Sequence, residues 1–579
     1  MRIMGLLQIT VLTVIIGSTF AEDSITVTLR HGGVKGTQLT ILGKTIEAYL
    51  GIPFAEPPIG RLRFQKPQPA KPWSGVLDAT NPKSSCMQQG MPGIVNIKGT
   101  SEDCLFVNVW TPGRGGPLKS VMVWIHGGGF QFGSSYQDWY NASALVATQD
   151  VVVVTLNYRL GAFGFLSAHT SEAPGNVGLY DQSLALQWVR DNVDVFGGNP
   201  DEVTLLGESA GSMSIQAHIL SPLSEGLFRR AIMMSGTLYC PGVAVESDDM
   251  LRRANRFARH AGCATLAKDL ATHPDGVLEC LRAKPAEELQ VHYENFEHRI
   301  IKRFLPIHGD EFLPVAPCLA MARGLFKNVD IMGGVTQDEG TFMVIAQPDK
   351  RLLEEDLQHI IEEEMETVLH SVMRVWTPEV NSDVWRHYEN QVNPSTWKVS
   401  YRKAAADYIT DNLFKCPHKL LSDRLSSRES SVYSYVFGHR SEMTPLPKWA
   451  GASHAGDIFY FFGLPLVYPD QYTDGDREFS KDVMKMACTF AKQGVPELPT
   501  GEKWPRYSVE DPVSVYVKPA PPQTYALHRR IKSLKKCRLQ KLLLFIKVPT
   551  YVTLGITGRY LFYRLFKGIE KLRTTDFYM

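Results

Sequence analysis

The chain has 579 residues, of which 44% are hydrophobic and 21% are charged, and its formal net charge is +1. This composition is that of an ordinary globular protein with a large core, and it excludes repeat and low-complexity classes because no such tract is visible. The balanced charge gives no reason to expect a nucleic acid partner. The charge is nevertheless uneven, since residues 529–579 hold thirteen Lys or Arg and two acids, which leaves the rest of the chain acidic.

Residues 1–21 have the pattern of a secretory signal. Arg2 begins a short basic start, an apolar run extends from Met4 to about Gly17, and Ala21 is a small residue before the expected cleavage at Glu22. The alternative is an uncleaved membrane anchor, for which the apolar run is short. A secreted location makes disulfides possible among the nine cysteines, and the odd number leaves at least one without a partner in the chain.

Strands and helices alternate along the rest of the sequence. Strands are predicted from alternating or continuous apolar runs at residues 24–30, 120–125, 151–156, 203–208, 329–335 and 430–437, and residues 228–235 predict a passage from helix to strand. Helical spacing is found at residues 180–193, 248–305, 351–373 and 479–493. Residues 48–72 predict an irregular but ordered segment. This order predicts a large, mostly parallel α/β sheet flanked by helices, and the absence of a linker before about residue 519 predicts one domain over residues 22–540.

Residues 203–215 begin as an apolar run and end as a small-residue run that can open a helix. Between the two lies a G-x-S-x-G pattern, Gly207 to Gly211, with Ser209 at its centre. The bare pentapeptide also occurs by chance, but between a strand and a helix it predicts a nucleophile elbow. Ser209 is therefore the candidate nucleophile, and the start of the following helix would favour an oxyanion.

A serine nucleophile needs backbone donors for the oxyanion that forms during acyl transfer. His126 and the three glycines after it directly follow a predicted strand, which matches the H-G-G-G pattern of such a donor loop. We expect the donors to be the N–H groups of Gly128, Gly129 and Ala210. The alternative is a flexible glycine turn.

The serine also needs a base, and the base needs an acid that holds its tautomer. Asp338 and Glu339 follow a predicted strand, and chemistry alone allows either as the acid, or a solvated acidic turn. Seven histidines follow Glu339, and only His454 lies in a loop of small residues. His454 is therefore the candidate base. No C-x-x-C pair is present, so no metal site is predicted.

The chain resembles the type-B carboxylesterases, the group that includes the cholinesterases. The resemblance is carried by residues 49–58, 101–105, 124–130, 157–161, 196–200, the elbow, residues 338–340 and His454. It implies an α/β-hydrolase fold and a triad of Ser209, Glu339 and His454, with no cofactor or metal. It also implies disulfides Cys86–Cys104 and Cys263–Cys280, and it suggests Cys416–Cys537, although the surroundings of Cys537 match poorly.

The departures from this family concern substrate choice. Cholinesterases place a choline-binding tryptophan between the first pair of cysteines, but residues 87–103 contain no aromatic side chain. Gly242 stands where their acyl-pocket tryptophan follows a Cys-Pro, and Ile300 and Lys302 replace further aromatic residues near Phe304. The sequence therefore predicts a secreted serine esterase of broad specificity, acting on small ester substrates other than acetylcholine. The single sequon, at Asn141, predicts one sugar.

Two other functions remain open from the sequence. One is a non-catalytic relative that acts in adhesion or ligand binding, and the other is a lipase-like enzyme that acts at membrane surfaces. The second rests on the tail, residues 541–579, which predicts a basic amphipathic helix. Its apolar face is formed by Phe562, Leu565, Phe566, Ile569 and Leu572, and its basic face by Arg564, Lys567 and Lys571. Such a helix binds an anionic membrane or a protein partner, or docks on its own domain.

Overall fold

The computed structural model describes residues 24–90, 97, 99–239, 242–296, 304–355, 362–372, 385, 386, 388, 392 and 400–519. Its centre is a sheet of twelve strands. These are β1 (Ser24–Leu29), β2 (Gly32–Ile41), β3 (Lys44–Pro53), β4 (Val76–Asp78), β5 (Phe106–Thr111), β6 (Lys119–Ile125), β7 (Val152–Leu156), β8 (Gly198–Glu208), β9 (Arg230–Met234), β10 (Asp330–Thr336), β11 (Val432–Phe437) and β12 (Val515–Val517).

The order of the strands in the sheet is β1-β2-β3-β5-β7-β6-β8-β9-β10-β11-β12, and β4 pairs with β2. The strands from β7 to β12 pair in parallel, whereas β1, β2, β3, β5 and β7 pair antiparallel to one another. The predicted parallel α/β sheet is thereby confirmed. The expectation of an irregular segment at residues 48–72 was wrong in its first part, since β3 extends through it to Pro53, although the register of β3 with β5 shifts between Tyr49 and Ile52.

Helices cover both faces of this sheet. They are α1 (Ser143–Gln149), α2 (Gly161–Phe165), α3 (Val177–Asn192), α4 (Ala210–Leu220), α5 (Ser247–His260), α6 (Pro274–Ala283), α7 (Ala286–Asn295), α8 (Pro317–Arg323), α9 (Gly340–Ile345), α10 (Glu362–Val372), α11 (Tyr401–Ile409), α12 (Cys416–Ser426), α13 (Ile458–Phe461), α14 (Leu464–Val467) and α15 (Asp474–Gln493). A π-helical segment, Thr410–Lys415, joins α11 to α12.

The apolar side chains of the central strands alternate between two cores. Leu205 on β8 and Val123 on β6 pack into one cluster, while Leu206 and Trp124 pack into the other, on the opposite face. Because side chains of a strand alternate between faces, a strand covered on both sides is mostly apolar on both faces. This burial holds the central strands rigidly, so their carboxyl ends offer a fixed support for the loops that follow them.

Candidate active site

The turn between β8 and α4 carries Ser209 in a strained backbone conformation. Its φ is 54° and its ψ is −119°, a region that side-chain-bearing residues rarely adopt. Its N–H donates to Met234 O on the neighbouring β9 at 2.8 Å. Glycine is required on both sides, because a Cβ at Gly207 would lie 2.7 Å from Gly211 C and a Cβ at Gly211 would lie 2.0 Å from Ile125 O. The elbow geometry predicted from the sequence is present.

The glycine loop after β6 lies directly against this turn. A Cβ at Gly127 would approach Glu208 O to 2.7 Å and the Cβ of Ser209 to 3.1 Å. Gly128 has a φ of 101°, and any side chain there would overlap Phe132 O. Among the described residues, the N–H groups of Gly128, Gly129 and Ala210 have no hydrogen-bond acceptor. Three free backbone donors therefore lie near the serine hydroxyl.

His126 contacts the backbone of the glycine loop and is uncharged there. Its fully buried ring stacks on Tyr158 at 4.4 Å between centroids, and its Nδ1 lies 2.9 Å from Gly127 O, to which it donates. The Tyr158 hydroxyl donates to His126 O at 2.9 Å. Burial lowers the pKa of His126 to about 4, so the ring is neutral at physiological pH.

Gln88 connects the glycine loop to the first disulfide. Its Nε2 donates to Gly133 O and its Oε1 accepts from Gly133 N, both at 2.7 Å. The same Nε2 donates to Cys86 O at 3.0 Å. Cys86 is joined to Cys104, as expected, and the second disulfide joins Cys263 to Cys280. The Cys86–Cys104 bridge therefore also supports the donor loop.

Glu339, in the turn after β10, and His454, in the loop after β11, form a buried pair. His454 Nδ1 lies 2.5 Å from Glu339 Oε2, and Glu339 Oε1 accepts from Ser235 Oγ at 2.5 Å and from Thr336 N at 2.7 Å. Asp338 faces away, since its Oδ2 accepts from Ala452 N at 3.1 Å. The structure therefore brings Glu339, and not Asp338, into contact with His454.

Glu208 lies on the other side of His454. Its Oε1 is 3.0 Å from His454 Nε2, out of line for a hydrogen bond but within ion-pair distance. Burial lowers the pKa of His454, but Glu208 and Glu339 outweigh it and raise that pKa well above its ordinary value of 6.5. Ser209 Oγ has no hydrogen-bond partner among the described residues. His454 Nε2 therefore faces the Glu208 carboxylate in this resting arrangement.

A third buried carboxyl lies behind this pair. Asp457 is fully buried, and the Tyr435 hydroxyl donates to its Oδ2 at 3.2 Å. Burial, followed by the charges of Glu208 and Glu339, raises the pKa of Asp457 to about 8. Asp457 therefore carries a proton at neutral pH, which limits the negative charge around His454.

Two phenylalanines flank the imidazole ring. The ring centroid of Phe342 lies 5.7 Å and that of Phe414 lies 4.9 Å from the ring of His454. Phe414 belongs to the π-helical segment and is itself buried. Phe414, Glu208, Ser235 and Asp457 were not predicted from the sequence as members of the site. For Ser235 a usable signal was present, because it ends the segment at residues 228–235 that was predicted to lead into a strand.

The remaining sequence-predicted residues lie at several places. Asn141 is half-exposed before α1, and its Oδ1 accepts from Ser143 N at 3.0 Å. Cys416 is disulfide-bonded, whereas Cys488 is free and buried. Ile300, Lys302, Cys240 and Cys537 lie outside the described residues, as do the signal and the tail.

The part of the chain that the structure describes contains no group of three or more side chains placed to hold a metal ion. No helix in that part is long and apolar enough to cross a membrane.

Comparison with known proteins shows similarity in sequence. The model of the Carboxylesterase family matches residues 23–534. An acetylcholinesterase of Bungarus fasciatus is 36% identical over 513 residues, which cover 86% of this chain and 83% of that protein. The mostly parallel sheet flanked by helices is the α/β-hydrolase fold of that family. The chain therefore belongs to the carboxylesterase family, and this membership supports the hydrolysis of carboxylic esters as its reaction.

Proposed function

We propose that this protein is a secreted serine esterase with Ser209 as nucleophile, His454 as general base and Glu339 as the acid that orients it. The observation that carries the proposal is the strained Ser209 turn beside three backbone N–H groups that have no acceptor among the described residues. Such donors stabilise charge that develops only in the transition state. The Glu339–His454 pair supplies the second requirement, a base with a fixed tautomer.

The reaction follows from these positions. Ser209 Oγ attacks the carbonyl carbon of the ester while its proton passes to His454 Nε2. The carbonyl electrons move onto oxygen, where the N–H groups of Gly128, Gly129 and Ala210 bind the resulting anion. Collapse of this intermediate breaks the bond to the alcohol oxygen, which takes the proton from His454. Water then attacks the acyl-enzyme by the same steps and releases the acid.

Replacement of Ser209 by Ala tests the nucleophile. We expect kcat for a short-acyl p-nitrophenyl ester to fall by about 10⁴-fold or more, because loss of a triad nucleophile removes the covalent route. Ser427→Ala, at an exposed serine, is the matched control and should keep full activity.

An organophosphate adduct should map to Ser209 in the wild type. The peptide map that locates this adduct also tests for the expected N-terminus at Glu22 and for a sugar at Asn141. Full turnover by Ser209→Ala would contradict the assignment. An inactive wild type without an adduct would favour the ligand-binding alternative.

Replacement of Glu208 by Gln tests the electrostatic role of that carboxylate. Because Glu208 raises the pKa of His454, and only the unprotonated imidazole accepts a proton, activity of the wild type should rise with pH through that raised pKa. Without the negative charge the pKa falls, so the acid limb of the kcat/KM profile should move to lower pH. Normalised pH profiles of Glu208→Gln and wild type measure this shift. If the acid limb of Glu208→Gln lies at the same pH as that of the wild type, or at a higher pH, Glu208 does not set the protonation of His454.

We further propose broad specificity without a preference for cationic alcohols. No aromatic residue lies in residues 87–103, and the aromatic rings described next to His454 are those of Phe342 and Phe414. A desolvated cation–π contact contributes about 2 kcal/mol, which corresponds to about 30-fold in kcat/KM.

Acetylcholine and its neutral isostere 3,3-dimethylbutyl acetate test this specificity directly. We expect their kcat/KM values to agree within about 10-fold, less than a full cation–π contact would give. A cholinesterase assayed in parallel gives the reference preference. A preference for acetylcholine as large as that reference would contradict the proposal.

We also propose that residues 22–540 form the catalytic domain and that residues 541–579 bind anionic membrane surfaces. The support is the segregation of apolar and basic residues in the tail sequence. Full-length protein should sediment with vesicles containing anionic lipid, and less so as salt increases. A variant ending at residue 540 should stay in solution and keep esterase activity. Equal binding of both proteins would contradict the role of the tail, and lost activity would contradict the domain boundary.

A further inference from the structure

Two histidines face each other at the ends of neighbouring helices. His260 is the last residue of α5, and His292 lies in the last turn of α7. Their Nδ1 atoms are 3.2 Å apart, and the ring planes stand at 85° to each other. Neither residue contacts Ser209, Glu339 or His454, so the pair has no part in the proposed reaction.

The separation of these nitrogens matches that of two ligands on one metal ion. In a tetrahedral site with metal–nitrogen bonds of about 2.0–2.1 Å, two ligating nitrogens lie about 3.3 Å apart. We propose that His260 and His292 bind one divalent transition-metal cation, such as Zn²⁺ or Cu²⁺, through their Nδ1 atoms. His260 is exposed and His292 is half-exposed, so an ion reaches the pair from solvent without opening the core.

A neighbouring carboxylate lies beside one of the two rings. Glu288 Oε1 lies 3.6 Å from His292 Nε2, the nitrogen that points away from His260. Metal-bound histidines commonly direct their second nitrogen at a carboxylate, which fixes the tautomer and strengthens the ligand. Lys284 Nζ holds the same carboxylate oxygen at 2.6 Å. The ring of His292 is thus supported from the side opposite to the proposed metal.

The local backbone also favours a cation. Both histidines lie in the last turns of their helices, where the helix dipole gives a partial negative charge. No third ligand is available among the described residues, so water completes the coordination and the ion exchanges freely. Imidazole selects Cu²⁺ and Zn²⁺ over Mg²⁺ and Ca²⁺, which prefer oxygen ligands. The ion joins α5 to α7, near the helix that the Cys263–Cys280 disulfide ties to the end of α5.

Titration calorimetry of the full chain with ZnCl₂ tests the site. Wild type should bind one more equivalent of Zn²⁺ than His260→Ala or His292→Ala. His273→Ala, at an exposed histidine outside the pair, is the matched control and should bind as wild type does. Glu288→Gln should weaken the binding by about 10-fold or more, as second-sphere changes do. MgCl₂ should give no corresponding heat.

Two further measurements separate a metal site from a simple hydrogen bond between the rings. Electron paramagnetic resonance with one equivalent of Cu²⁺ should show two nitrogen ligands in wild type and a changed spectrum in His260→Ala. Near-ultraviolet circular dichroism establishes that each variant is folded. Equal Zn²⁺ stoichiometry and affinity in folded wild type and His260→Ala would overturn the proposal and leave the pair as a hydrogen bond.

Discussion

The strained backbone of Ser209 is the constraint on which the site depends. A non-glycine residue in such a region costs about 1–3 kcal/mol and persists only where its surroundings leave no alternative. Three backbone segments close on this turn. Gly211 packs on Ile125 O, and a Cβ at Gly236 would lie 2.2 Å from Ser209 O. Glycine at these positions lets β6, β8 and β9 approach closely enough to hold the turn, and the hydroxyl stays in place because the sheet does. The placement of Ser209, the proposed nucleophile, is therefore a property of strand packing rather than of the loop itself.

The second constraint is the set of carboxyl groups buried around His454. Glu208, Glu339 and Asp457 lie buried around one imidazole, and a buried carboxylate is costly unless it is paired or protonated. Each is compensated differently: Glu339 accepts hydrogen bonds on both oxygens, Asp457 retains its proton, and Glu208 faces His454. In the proposed reaction, the carboxylates of Glu208 and Glu339 stabilise the imidazolium that forms when His454 takes the proton of Ser209. The same carboxylates raise the pKa of His454, so the proposed reaction loses rate at low pH.

The sequence predicted the elements that depend on local pattern and missed those that depend on distant contacts. The strands at residues 120–125, 151–156 and 430–437 were placed within two residues, because a strand buried on both faces is a continuous apolar run. β3 was missed because its glycine and proline resemble a loop. Asp338 and Glu339 are chemically equivalent in sequence, and only the direction of each side chain separates them. The place of Ser235 at a strand end could be read from the sequence, but its contact with Glu339, 104 positions away, could not.

The order of the parallel strands explains how residues so far apart in sequence form one site. β6, β8, β9 and β10 are consecutive neighbours in the sheet, and they end in the glycine loop, Ser209, Ser235 and the turn that carries Glu339. The helices α5 to α8 lie between β9 and β10 in the chain and are not strands of this sheet. Substrate preference can therefore change in such connecting segments while the groups proposed for catalysis stay fixed to strand ends. A chain 36% identical to an acetylcholinesterase can in this way retain the elbow, the donor loop and the Glu339–His454 pair, and yet lack aromatic residues between its first two cysteines.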